Sequence, residues 1–376
     1  MKYLVTLFAI VFFLSPLAAF GQSPEMHQDE RGLFRAKVVE ILSEEVQLIP
    51  GTNVETLYQV MMVEFLEGPL SGRIVEIEDD YLTLKAGDKI FVRYVLTING
   101  EEFFTVAEPD RRGMIYFLTF LFVGAVVWLS GWQGVRAVIS LIGSFLVIFY
   151  VLLPALLAGV SPVLISSVVA TIILAIAIFA THGFNRESNA ALLGTVIAIV
   201  LTGFLAYFAV AVTKLTGFAS DEAVFLNFNT AGSLDFSGLL LAAIIIGVIG
   251  VLDDIAITQA ATVTELHLAA PKLTRRELYT KTLRIGREHV SALVNTLVFA
   301  YVGASLPLIL LFYMSDQSTL MLINREIFAT EIVRTIVGSI GLILTVPITT
   351  LIAVLMLYGK VKEKKVVGCS HGHHHH

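Results

Sequence analysis

Two hydrophobic periods divide the chain. Between residues 31 and 108 apolar and polar positions alternate with period two, in β-branched and aromatic runs typical of half-buried strands. The alternation predicts strands at 34–42, 57–66, 72–77, 89–97 and 102–106, the last two joined at Asn99-Gly100. Breakers separate them at Pro50-Gly51, Gly68-Pro69 and Ala86-Gly87-Asp88. Five short strands this close together suit a small β-barrel, most simply of the oligonucleotide/oligosaccharide-binding (OB) type, which protects its own edges. Such a domain reads as a gate, cap or interaction platform.

From residue 114 the pattern becomes long apolar runs: 114–130, 135–153, 162–180, 190–212, 236–261, 292–314 and 332–358. Several reach the roughly 20 residues that a helix needs to cross about 30 Å of hydrocarbon. The fold class expected is a polytopic α-helical membrane protein with about seven transmembrane helices and an N-terminal extracytoplasmic β domain. Basic residues orient it. The predicted inner loops hold Arg136, Arg186, Lys272, Arg275, Arg276, Lys281, Arg284, Arg287, Lys360, Lys362, Lys364 and Lys365. The outer loops hold Lys214, Arg325 and a local exception, Arg111-Arg112. This bias puts the C-terminus in the cytoplasm of a bacterial inner-membrane protein. The basic segment 273–289, with Leu278, Leu283 and Ile285, reads either as an interfacial helix or as a soluble helix-turn.

The N-terminus resembles a secretory signal, with Lys2, a short apolar stretch at 3–14 and Ala19-Phe20-Gly21 before a cleavage point. The alternative is an uncleaved anchor, for which about a dozen apolar residues are few. The expected organisation is a signal peptide (1–21), an extracytoplasmic β domain (22–110), a helical membrane domain (111–360) and a basic, His-rich tail (361–376).

Composition sharpens the division. Of 376 residues 56% are hydrophobic and 15% charged, against the roughly 25% charged that a soluble surface carries. Residues 22–113 hold 18 acidic and 9 basic side chains, so the formal charge of −6 belongs to the water-facing segment and gives no reason to expect nucleic acid. The one cysteine, Cys369, excludes an intramolecular disulfide.

The candidate chemistry centres on the fifth run. Gly247, Gly250, Asp254, Thr258 and Ala261 fall at offsets of 3, 7, 11 and 14, on one helical face. Glycines permit close helix approach, and a carboxylate within a span costs on the order of 2.5–3.5 kcal/mol unless it faces protein or water. Asp253 lies about 100° away and can also reach an interior. Two adjacent acids suit an ion or proton site. The alternative, a helix ending near Leu252 with both acids at the interface, sits poorly with the apolar continuation Ile255-Ala256-Ile257. Asn295 and Thr296 stand at a similar depth in the sixth run, either as further ligands or as helix–helix hydrogen-bonding groups. In the seventh, Arg334, Gly338, Gly341, Thr345 and Thr349 share a face. Arg334 reads as an outer polar contact or as a partner of Glu331. Cys369, His371 and His373 suit a metal-binding tail or part of a purification tag. No hydrolytic signature appears, so no enzyme is expected, and no cofactor is specified. His182 reads as a residue serving a helix end.

Several segments together resemble the YibE/F family of bacterial membrane proteins. They are Gly183-Phe184-Asn185-Arg186 with Ala190-Ala191-Leu192-Leu193-Gly194-Thr195, the Gly247/Gly250/Asp254/Thr258 face, Ile285-Gly286-Arg287 with Asn295-Thr296-Leu297, and Arg334, Gly338 and Pro347. The resemblance implies architecture rather than an activity. Asp253 departs from it, since an apolar residue is usual there. The function expected is a transporter or channel-like permease with a polar site among spans five to seven. The alternative is a scaffold or envelope sensor using the outer barrel. Expected partners are the bilayer and an ion or small solute, with homo-oligomerisation left open.

Overall fold

The computed structural model describes residues 30–48, 51, 55–97 and 99–359. The segment 1–21 expected as a signal peptide and the expected metal-binding tail with Cys369, His371 and His373 lie outside the described residues. The chain divides into two compact units, one up to Ala125 and one from Val126.

The first unit is an antiparallel sheet of β1 (Glu30–Leu48), β2 (Glu55–Phe65), β3 (Ile74–Asp79), β4 (Lys89–Leu96) and β5 (Glu102–Pro109), in the order β3-β2-β1-β4-β5. Alternate residues of each strand turn inward, so Ala36, Val38, Met61, Val63, Phe65, Ile77, Ile90 and Val92 form one core. β1 pairs with β4 through its first half and β2 through its second. Register shifts at Val38/Glu40 and Ile41/Ser43 bend it between the two partners. The result is a half-barrel, with no ladder between edge strands β3 and β5 among the described residues. Side chains bridge that gap. Arg73 donates to both Glu102 oxygens, at 2.9 and 2.5 Å, and its guanidinium lies 5.5 Å from the Phe104 ring. This pairing holds the Glu102 carboxyl below its usual range.

The Arg111-Arg112 exception has a local explanation. Arg112 donates to both oxygens of Asp110, at 2.8 and 3.0 Å, and stacks over Phe91, while Arg35 makes a second ion pair with Asp110 at 2.9 Å. Arg111 pairs with Glu108. Each exceptional cation therefore has its own carboxylate. The Arg112 hydrogen bonds, opposed by burial, hold the Asp110 carboxyl down at about 2.

The remaining elements are α1 (Arg112–Val147), a π turn (Ile148–Leu152), α2 (Leu153–Leu157), α3 (Pro162–His182), α4 (Arg186–Thr213), α5 (Asp221–Asn229), α6 (Phe236–Ala269), α7 (Arg275–Ala304), α8 (Leu306–Tyr313), α9 (Thr319–Asn324) and α10 (Glu326–Leu357). Five helical segments among the described residues are long and apolar enough to cross a membrane: Arg112–Leu157, Pro162–His182, Arg186–Thr213, Phe236–Ala269 and Glu326–Leu357. A sixth is added if α7 and α8, bent by 73°, count as one. This is fewer than the seven runs read from sequence, because the first two runs form a single 46-residue segment. That segment is broken at Gly131, whose φ of 57° and ψ of −132° are not helical. A β-carbon on Gly134 would fall 2.5 Å from the Val126 carbonyl, whereas an unbroken helix separates such positions by about 12 Å. The α7–α8 bend follows from Pro307, which cannot continue the helical hydrogen-bond ladder.

α6 is the central helix, packed on α3, α4, α7 and α10. Small residues set the closest crossings. A β-carbon on Gly194 of α4 would lie 2.5 Å from the Thr349 hydroxyl of α10, and one on Gly341 of α10 would strike Thr202 of α4. α7 starts at a capping box of Thr274 and Glu277, and Leu278 is fully buried. The basic segment is thus the first part of a packed helix, neither a separate interfacial element nor a short turn. Glu326, the first residue of α10, accepts hydrogen bonds from the Thr216 N–H (2.7 Å), the Thr216 hydroxyl (2.8 Å) and the Gly217 N–H (2.8 Å). Gly217, at φ +86°, leaves no room for a β-carbon beside the Phe236 carbonyl at the start of α6.

Candidate functional site

α6 begins with Asp235, whose side chain caps the Gly238 N–H at 3.0 Å, and runs unbroken to Ala269. Both aspartates therefore lie within the helix, which continues well past Leu252. Asp253 is half-buried. Its Oδ1 is shut off from solvent and has no hydrogen-bond partner among the described residues. Asp254 is exposed.

The two carboxylates share a cavity of about 430 Å³ between α1, α3 and α6. Helical spacing builds its walls. Ser140, Ser144 and Ile148 recur every fourth residue on one side, Ile173, Ala177 and Thr181 on the second, and Ile246, Gly250 and Asp254 on the third. Ile148, Ile173 and Ile246 belong to one hydrophobic cluster, so the apolar ends of the three faces meet. The opposite ends carry Ser140, Thr181, His182, Asp253 and Asp254, and His289 of α7 also stands within electrostatic reach of Asp254. No lysine or arginine lines the chamber among the described residues. Gly250 helps to make the space, since a β-carbon there would meet nothing within 4 Å.

The other anticipated residues lie elsewhere. Asn295 and Thr296 are exposed on α7 and do not line the cavity, and the Thr296 hydroxyl donates to the Ala292 carbonyl at 3.1 Å. Thr258 donates to the Asp254 carbonyl at 2.7 Å. Gly247 packs near Tyr301, Gly338 against Val248 and Gly341 against Thr202. Arg334 pairs with Glu331 at 2.9 Å, and Glu331 also accepts from the Ser305 hydroxyl at 3.4 Å. No group of three or more His, Cys, Asp or Glu side chains among the described residues is placed to hold a metal.

Sequence reasoning missed the α1 and α3 contributions. Ser140 and Ser144 carried no signal beyond their fourfold spacing. His182 is indeed the last residue of α3, and it also lines the chamber. Chemically, the arrangement can attract and neutralise positive charge at one end and cover hydrocarbon at the other.

A family model described as YibE/F-like protein matches residues 118–359. No curated protein and no solved structure matches the chain.

Proposed function

The chain belongs to the YibE/F-like family, and from this premise we propose that it is a membrane permease for an ion or small polar solute, working through the chamber between α1, α3 and α6. One observation carries the reading: two carboxylates of a long apolar helix open onto a shared cavity that no lysine or arginine lines among the described residues. Ionisable groups at such positions are costly and usually mark a path for ions or protons. A scaffold would have no use for the chamber.

In this reading the polypeptide crosses the inner membrane seven times. The break at Gly131 divides the 46-residue segment into two spans, and α7 with α8 forms one bent span. The half-barrel stands outside as an OB-like domain, its β3 and β5 edges drawn together by Arg73 and Glu102.

Flux into proteoliposomes tests the function. Asp254→Asn and Asp253→Asn keep side-chain shape and remove charge, and each should abolish or strongly reduce flux in protein that remains monodisperse. Normal transport by both variants would sink the proposal.

A further inference from the structure

We infer that the chamber takes an amphiphilic organic monocation: an ammonium or quaternary ammonium head on a compact apolar body. The inference rests on the permease reading and specifies its cargo.

Charge sets the sign. Asp253 and Asp254 line the cavity without a lysine or arginine among the described residues, and Asp253 Oδ1, shut off from solvent, has no hydrogen-bond partner among them. An anion there would meet two carboxylates, with only the imidazoles of His182 and His289 nearby to offset them. Size and lining set the chemistry. At about 430 Å³ the space falls in the range of small-molecule pockets, roughly 300–1,000 Å³. A bare inorganic cation needs oxygen ligands on several sides to replace its hydration shell. Here the oxygens cluster at one end, whereas Phe145, Ile148, Ile173 and Ile246 form the rest. A charged head can sit against the carboxylates while its hydrocarbon body covers the isoleucines, with Phe145 offering an aromatic surface to the cation.

Equilibrium dialysis of the full-length protein in nanodiscs provides the test, with benzyltrimethylammonium, benzenesulfonate and rubidium as probes. Benzyltrimethylammonium should bind saturably and benzenesulfonate should not. Rubidium at roughly hundredfold excess should fail to displace the organic cation. Asp254→Asn should weaken binding about tenfold or more. Gly250→Leu provides a second variant that keeps both carboxylates. Its β-carbon meets nothing within 4 Å, and the added side chain should weaken the organic cation while sparing any rubidium binding. Displacement by equimolar rubidium, or indifference to Gly250→Leu, would overturn the amphiphilic cargo. Preferential benzenesulfonate binding would overturn its sign, and affinity indifferent to both aspartates would identify the occupant as a lipid-like body held by the apolar end alone. Proteoliposome flux separates the two levels. Rubidium flux without organic-cation flux leaves a permease with a different cargo, whereas no flux of any of the three probes removes the permease reading itself.

Discussion

The Thr350 hydroxyl of α10 lies 3.0 Å from the Gln259 amide oxygen of α6, donating to it where neither side chain reaches solvent. The same hydroxyl is 2.7 Å from the Val346 carbonyl of its own helix, and the Gln259 amide lies against Gly286 of α7. Three helices thus meet at one polar contact.

Removing Thr350 leaves the Gln259 amide oxygen buried without its donor, whereas after loss of Gln259 the Thr350 hydroxyl still has the Val346 carbonyl. Thr350→Val is expected to cost about 0.6–2 kcal/mol. The double variant should lose less than the sum. Thermal unfolding midpoints in detergent give the cycle, and strict additivity would show that the contact contributes nothing.

The two glycine–threonine crossings should be far less tolerant than the glycine in the chamber. Gly194→Ala places a methyl against Thr349, and Gly341→Ala places one against Thr202, so each should cost roughly 1–3 kcal/mol. Gly250→Ala meets no neighbour and should be close to neutral in packing. If all three variants melt alike, close approach of α4 and α10 is not what sets stability there.

Asp110 gives the half-barrel an acid sensitivity of defined sign. Its carboxyl sits at about 2 in the folded chain against an ordinary value of 3.8, so its ion pairs add stability above the ordinary value. That contribution fades as pH falls through the interval between the two. A carbon-13 carboxyl titration should place the Asp110 midpoint near the lower figure, with Arg112→Gln moving it back toward 3.8. A midpoint insensitive to Arg112 would disprove the assignment.

The break at Gly131 tests the number of crossings. In a Cys369→Ser background, cysteine placed at the exposed Gln133 should react with a membrane-impermeant maleimide from the cytoplasmic side. Protection from that side, or labelling from the periplasm, would contradict the paired-span topology.

The strands were legible because one buried face imposes strict alternation. The run 89–97 corresponds to Lys89–Leu96. β1 extends past its predicted 34–42 because residues 43–48 are all exposed, so no buried face imposes an alternation there. The gap between the runs ending at 130 and beginning at 135 corresponds to the break at Gly131, and the Thr274–Glu277 capping box marks the start of α7. A basic face followed by an apolar one made that single helix look like two elements. At the site, the expense of a carboxylate in an apolar helix singled out the aspartates. Helical periodicity gives a face but not the neighbour that meets it. Asn295, matched to Asp254 by depth alone, lies off the chamber, while Ser140, Thr181 and His182 from distant segments line it.

The Glu326 clasp also bears on how the protein is made. Its partner Thr216 precedes it by 110 residues. At roughly 5–20 residues per second, ribosomes expose the Thr216–Gly217 turn for on the order of 5–20 s before its acceptor exists. During that interval two backbone N–H groups wait for the last helix, so α4 and α6 are laid down before the connection between them is fastened. Nascent chains stalled ahead of Glu326 should be cut by protease at this turn, and chains released after α10 should resist.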